Sequence, residues 1–243
     1  MPTVLILGAS SDIGFAIARR FAEAKYDVQL AGRKPQLLDA FRSDIEIRYG
    51  VSCSLHAFDA MDFSSHQSFY EGLPVKPQVS VFVAGYMNDN EKVITNWEES
   101  RRTIETNYTG AVSILNIISK DYANKKSGTI VGISSVAGNR GRQSNFIYGS
   151  AKAAFSAYLS GLRNLLYHSG VHVVTVLPGF VKTKMTENLK LPPVLTAQPY
   201  EVGEAVFKAV EQKKNIIYVK WFWRWIMLVI TSVPESIFKK KKL

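Results

Sequence analysis

A chain of 243 residues with 47% hydrophobic side chains is long enough to bury one α/β core and too apolar to stay disordered. Its single cysteine, Cys53, excludes an internal disulfide and a cysteine-rich metal site, and no metal is expected from its four histidines. The net charge of +10 is concentrated: residues 216–243 carry six basic residues against Glu235 alone, and the remainder lacks the aromatic-basic stripes of a nucleic-acid binder.

No basic leader or cleavage site precedes the first apolar run, Val4–Leu7, so a cytoplasmic protein in a reducing compartment is expected. The run leads into Gly8-Ala-Ser-Ser-Asp-Ile-Gly14 and a helical pattern over Ile13–Ala24. Gly8 suits a tight turn and Gly14 a close helix–strand approach. Ser10 and Ser11 can donate to phosphate, and the free N–H groups of the helix start, around Asp12 and Ile13, would meet a dinucleotide pyrophosphate. The second run, Val28–Ala31, ends in Gly32-Arg33-Lys34. No acidic residue stands there to hold an NAD ribose. Arg33 sits where a 2′-phosphate would lie, so NADP(H) is expected over NAD(H), the alternative being an exposed basic helix start.

A helix over Leu37–Tyr49 precedes Ser52–Ala57, whose alternation reads Cys53 as a buried thiol. Asp59 then either accepts from an adenine amino group or closes a turn. Val79–Val83, a long helix over Ser100–Tyr122 and the run Thr129–Ile133 follow. Tyr122 and Lys126 form a Tyr-x-x-x-Lys pair that reads as solvated helix surface. The pair Tyr148 and Lys152 differs, because Ser135 precedes it by thirteen residues and small residues surround it. A tyrosine with a free pKa of about 10 is a poor proton carrier until shifted, and a lysine one turn on favours the phenolate. With a serine for the carbonyl, these are the separate requirements of nicotinamide-dependent carbonyl reduction.

The helix Tyr148–His168 should end at Gly170, so His168 and His172 would share no face. Val171–Val176, a helix Glu201–Glu211 and Ile216–Val219 complete the alternation. Continuous apolar strands between helices predict an α/β fold: a single-domain Rossmann-type, doubly wound parallel sheet of about seven strands over residues 1–219, with a helical tail over 220–243.

Over essentially its whole length the chain resembles the short-chain dehydrogenase/reductases. The matching pieces, in order, are Gly8–Gly14, Ala84-Gly85, Asn107 in Glu-Thr-Asn-Tyr-Thr-Gly, Ser134-Ser135-Val-Ala-Gly138, Tyr148-Gly-Ser-Ala-Lys152 and Pro178-Gly-Phe-Val-Lys-Thr183. The resemblance implies Tyr148 as general acid, Lys152 also holding the nicotinamide ribose, Ser135 orienting the carbonyl in preference to Ser134, and Asn107 anchoring a water. It implies cofactor contacts at Ala84, Gly85, Pro178, Gly179, Val181 and Thr183, a segment between Pro178 and Tyr200 covering the substrate, and a homodimer or homotetramer. Two positions depart from the family pattern. Asp12 replaces a loop glycine and is expected to point away from the pyrophosphate, and Phe82-Val83 replace two asparagines.

The tail, Lys220 to Val233, is aromatic and then aliphatic, and is followed by Pro234 and Lys239–Lys242. Its uncharged stretch, 225–230, is far short of the roughly 20 residues that span a bilayer. Three tryptophans beside Lys220 and Arg224 suit the headgroup zone, and the lysines suit anionic lipid. A helix lying in one leaflet on the inner membrane face is expected, with a helix packed on the domain or on a second copy as the alternative. The tail, with residues 84–89 and 178–185, is similar to one branch of the family, the bacterial reductases of decaprenylphosphoryl-2-keto-ribose. That likeness implies a lipid-linked sugar ketone, with Arg140 and Arg142 either pairing with its phosphate or forming an exposed basic loop. The alternative is a soluble reductase of 3-oxoacyl thioesters or small ketones whose tail serves oligomerisation.

Overall fold

The computed structural model describes residues 1–241. Its first strand, β1 (Thr3–Leu7), shows why the apolar runs are continuous. Val4 and Ile6 enter one core, Leu5 and Leu7 the other, and all four are fully buried. A strand covered on both faces has no solvent side with which to alternate. The following strands are β2 (Asp27–Gly32), β3 (Cys53–Ala57), β4 (Val79–Phe82), β5 (Thr129–Ile133) and β6 (His172–Pro178). After them come two short strands, β7 (Phe180–Val181) and β8 (Thr196–Ala197), and then β9 (Ile216–Val219). Seven strands form one sheet in the order β3-β2-β1-β4-β5-β6-β9, every neighbouring pair parallel, as the alternation predicts. β7 and β8 pair separately, a small sheet the sequence reading lacks.

The helices are α1 (Asp12–Glu23), α2 (Asp39–Tyr49), α3 (His66–Glu71), α4 (Asn90–Thr95), α5 (Trp97–Ile104), α6 (Gly110–Lys125), α7 (Phe146–Leu166), α8 (Pro199–Glu211), α9 (Trp223–Ser232) and α10 (Glu235–Phe238). α1, α2 and α8 cover one face through Ile17, Phe21, Ile45 and Val206, while α6 and α7 cover the other through Ile114, Ile118, Phe155 and Leu159. Gly170 has φ +68 and ends the 3-10 turn after α7, leaving His168 in that turn and His172 at the start of β6. Cys53 is buried, and burial pushes its thiol up to about 12, which makes it inert.

Three expectations are corrected. The helix over Ser100–Tyr122 is interrupted by a π turn at Glu105–Thr109, which separates α5 from α6. A π turn adds a residue to the helical circuit and breaks the 3.6 period, so a pattern read at that period runs straight through it. Tyr122 is not on a solvated surface: it is fully buried and shares a 2.7 Å hydrogen bond with Ser80 of β4. Lys126 is the left-handed residue that ends α6.

The third correction is at Arg140, which the tail occupies. α9 lies on its own domain, with Trp223 and Met227 buried against Val136 and Leu177. The Trp223 indole N–H donates to the Leu195 carbonyl at 3.1 Å. Arg140 does not await a phosphate. Its guanidinium donates to the Ile230 and Val233 carbonyls, both at 2.6 Å, pairs with Glu235 at 2.9 Å and lies 3.6 Å from the Phe238 ring centre. These are the unsatisfied carbonyls of a helix end, and a cation there is favourable. The opposite face of α9 remains open, with Trp225, Leu228 and Val229 exposed. No helix among the described residues is long and apolar enough to cross a membrane. Of the lysine cluster, Lys239–Lys241 are exposed and Lys242 lies outside the described residues.

Candidate active site

A cleft opens where the loops after β1, β4, β5 and β6 meet, at the carboxyl ends of the strands. Its floor is fixed by backbone. The Gly8 and Ala9 N–H groups both donate to the Ala31 carbonyl, at 2.9 and 3.0 Å, which ties the first turn to β2. Gly8 has φ +100, and a Cβ there would stand 2.5 Å from the Ala84 nitrogen, so the position demands glycine twice over. At Gly14 an added Cβ would come within 2.9 Å of the Gly8 oxygen, the close approach expected of it.

Within the loop the two serines part company. Ser11 caps α1, accepting from the Gly14 N–H and donating to the Gly8 carbonyl, each at 3.0 Å. Its hydroxyl proton is therefore not offered to a phosphate, which corrects that expectation. Ser10 is exposed beside it. Asp12 and Ile13 occupy the first turn of α1, where N–H groups lack an intrahelical acceptor. The Asp12 carboxylate accepts from the Lys184 N–H at 2.8 Å, so it is engaged by the segment opposite.

The cleft has two halves that share Ser10, Ser11, Val83 and Gly85. Arg33, Asp59, Ala84 and Arg102 line the outer half. One Asp59 oxygen accepts from the Met61 N–H at 3.0 Å, so this residue closes the turn after β3, its alternative reading. Ser135, Tyr148, Lys152, Pro178, Gly179, Val181 and Thr183 line the inner half. A Cβ on Gly85 would project between Asn107 Oδ1, at 3.1 Å, and Lys152 Nζ, at 3.7 Å. The bare backbone there leaves a slot beside the lysine, and with Arg33 at the far end the residues fit an extended dinucleotide.

Ser135 caps a 3-10 turn, its Oγ accepting from the Ala137 N–H at 3.1 Å, and keeps its own proton to donate. Ser134 is occupied elsewhere, donating to the Lys152 carbonyl at 2.9 Å. Tyr148 lies in the first turn of α7 with Ser135 as its polar neighbour. Lys152, one turn on, is buried; its Nζ donates to the Ile133 carbonyl at 3.0 Å and stands 5.8 Å from the Tyr148 ring centre. Burial pushes the Tyr148 phenol up to about 12, opposed by the Ser135 hydroxyl, and pushes Lys152 down to about 7. The lysine was expected to lower the phenol. Here the phenol is raised instead, because burial disfavours its charged form, as it does that of the lysine. The phenol, like a free tyrosine, holds its proton near neutrality, the state in which it can protonate a carbonyl oxygen.

The π turn carries Asn107 inward, fully buried. Its amide donates to the Tyr86 and Thr103 carbonyls, at 2.6 and 2.8 Å, and Oδ1 accepts from the Tyr86 N–H at 3.3 Å. Both amide hydrogens are taken by backbone, so Asn107 fixes the Gly85–Tyr86 loop, and only Oδ1 is left to meet a water. Gly179 has a second demand on it besides the cofactor contact expected there. A side chain there would strike the Trp223 indole, so the glycine is what admits the tail to the cleft. Beside Tyr148 lies a cavity of about 250 Å³ whose apolar wall includes Met87, Val136, Phe180, Met185, Leu189 and Trp223. Phe180, Met185 and Leu189 belong to the segment expected to cover the substrate, whereas Met87, Val136 and Trp223 were not expected on this wall. The aromatic tail was the available signal for Trp223, and it was read for lipid.

A family model described as short chain dehydrogenase matches residues 2–192. The chain belongs to the short-chain dehydrogenase family. This short-chain dehydrogenase is 30% identical over 244 residues to an uncharacterized oxidoreductase of Mycobacterium tuberculosis, covering 98% of this chain and 96% of that one. It is 31% identical over 241 residues to an uncharacterized oxidoreductase of Streptomyces coelicolor, covering 98% and 95%. Among solved structures it resembles a short-chain dehydrogenase from Sphingobium yanoikuyae in complex with NADPH, with a TM-score of 0.83, 24% identity and coverage of 97% and 98%. That last likeness is one of fold. Membership makes the protein an NAD(P)-dependent oxidoreductase.

Proposed function

We propose that this short-chain dehydrogenase reduces a ketone with NADPH, and that the ketone is a lipid-linked sugar met at a membrane surface. The observation that carries the reduction is the Tyr148 phenol, a proton donor beside Ser135 and Lys152 at the edge of a partly apolar cavity. A bound nicotinamide supplies the hydride. Ser135 donates a hydrogen bond that orients the carbonyl oxygen, and Tyr148 passes its proton to that oxygen as charge develops. The phenolate left behind is stabilised by Lys152, whose ammonium regains a counter-charge at that moment. Arg33 at the end of β2 supports NADPH over NADH, and the S. yanoikuyae relative binds NADPH.

The membrane part rests on the two faces of α9. On its inner face Trp223 walls the cavity and Met227 the core beneath it, while its outer face exposes Trp225, Leu228 and Val229; Arg224 and Lys239–Lys241 are exposed as well. An apolar strip beside cations suits an anionic bilayer, and a lipid tail leaving the cavity would leave along that helix. Sedimentation with anionic and with neutral vesicles tests this, comparing the full chain with a Trp225→Ser, Leu228→Ser, Val229→Ser triple variant. Salt-sensitive pelleting of the full chain alone supports the membrane reading. The same outer face also suits a second copy of the chain, which favours a soluble reductase of 3-oxoacyl thioesters or small ketones as the second reading. No pelleting, with a smaller assembly for the triple variant, would select it.

A further inference from the structure

Two arginines stand two residues apart on the loop before α7, and only one is satisfied. Arg140 is spent on the tail, donating to backbone carbonyls and to Glu235. Arg142 lines the cavity beside Tyr148. Its Nη2 reaches the Met227 thioether at 3.3 Å, a weak acceptor, and its Nε–H is buried without a partner. Among the described residues no carboxylate pairs with it: the acidic residue on this cavity, Asp12, is bonded to the Lys184 N–H. A guanidinium stays ionised in proteins, so this site holds a half-buried positive charge whose Nε–H has no acceptor in the chain. Asn145, on the same wall, likewise has a buried Oδ1 without a partner. Unpaired polar atoms are rare in folded interiors, and two on one cavity wall mark a place completed by something else.

We propose that Arg142 anchors an anionic oxygen group, a phosphate or carboxylate, on the ketone whose oxygen Tyr148 protonates, with Asn145 accepting from a hydroxyl of the same molecule. The proposal rests on the reductase reading for its reaction and on Arg142 alone for its substrate class. Burial lowers the Arg142 pKa, consistent with a charge lacking its counter-ion. The surrounding Val136, Met185, Leu189 and Trp223 give the anion an apolar companion, so the class is an anionic ketone with an apolar body.

The test compares 10-oxoundecanoate with its methyl ester, the same ketone with and without a charge, in NADPH oxidation by full-length protein and by Arg142→Gln. The wild type should favour the acid in kcat/KM by about tenfold or more, the worth of one charge-assisted hydrogen bond. R142Q should lose that preference by slowing on the acid while keeping its rate on the ester. It should also melt at or above the wild-type temperature, because it removes a half-buried unpaired charge; a merely structural arginine would lower it. Equal rates on acid and ester in the wild type, or an equal fall on both in R142Q, would overturn the proposal. If neither ketone is reduced, the reductase reading fails for this class and a binding arm still decides on Arg142. With NADPH saturating its own sites, octyl phosphate should raise the melting temperature of the wild type and not of R142Q, and equal shifts in both would refute the anchor. Inorganic phosphate in place of octyl phosphate separates a free anion from one carried on an apolar chain.

Discussion

On the cofactor side of the cleft, Gly8, Ala31 and Ala84 are joined by backbone contacts within one sheet, and the loop chemistry follows its strand directly. On the substrate side, Trp223 and Met227 arrive from a helix beyond the last strand, and the Arg140 side chain clamps the far end of that helix. One wall is set by backbone hydrogen bonds that any sequence of suitable shape can make. The other depends on particular side chains meeting across most of the chain. A cleft built this way can change its substrate without disturbing its cofactor.

Substitutions can separate the walls. The largest effect is expected from Tyr148→Phe, which should lower the rate of NADPH oxidation by about 10²–10⁴-fold while NADPH binding, followed by fluorescence, is unchanged. A parallel loss of binding would mean that the phenol belongs to the cofactor wall. Trp223→Ala should remove about 3–5 kcal/mol of stability in denaturant titrations, as for other buried tryptophans, and raise KM for the ketone. If NADPH affinity drops with it, the two walls are one unit. Arg33→Ser should weaken NADPH by about tenfold and leave NADH untouched. Equal losses for both cofactors would remove Arg33 from the 2′-phosphate.

The effect with a definite sign in pH concerns Lys152. Its pKa in the native chain is about 7 against an ordinary 10.5, so between those values the unfolded chain carries a proton that the native chain lacks. Stability therefore rises with pH across that window; the penalty for burying the ammonium is complete below it and gone above it. Lys152→Met should melt higher than the wild type at pH 6, with the gap closing towards pH 10. A pH-independent gap would place the lysine's charge in contact with an anion already in the protein.

What was legible in the sequence was what is local. The turn Gly8–Gly14 and the Tyr148–Lys152 spacing each lie within a few residues, and the structure brings Ser135 to Tyr148 as expected. Tyr122 was misread because a tyrosine near a helix end looks the same whether it faces solvent or sheet; Ser80, on another element, decides it. Ser11 and Asn107 show a competition that no motif reveals, since backbone groups of the chain itself take their side-chain hydrogens. Arg140 was beyond reach for a simpler reason. Its partners lie about ninety residues onward, where no periodicity connects them.

The single hydrogen bond from Lys184 to Asp12 joins the first turn of α1 to the segment that carries Met185 and Leu189 over the cavity. With NADPH on that turn and a ketone in the cavity, as proposed, the two ligands would communicate through one carboxylate. Linkage of this kind is reciprocal by thermodynamic necessity: whatever factor a ketone applies to the affinity for NADPH, NADPH applies to the affinity for the ketone. An inhibitor that wedges the covering segment upward would weaken the cofactor's hold, and a high level of cofactor would in turn expel the inhibitor.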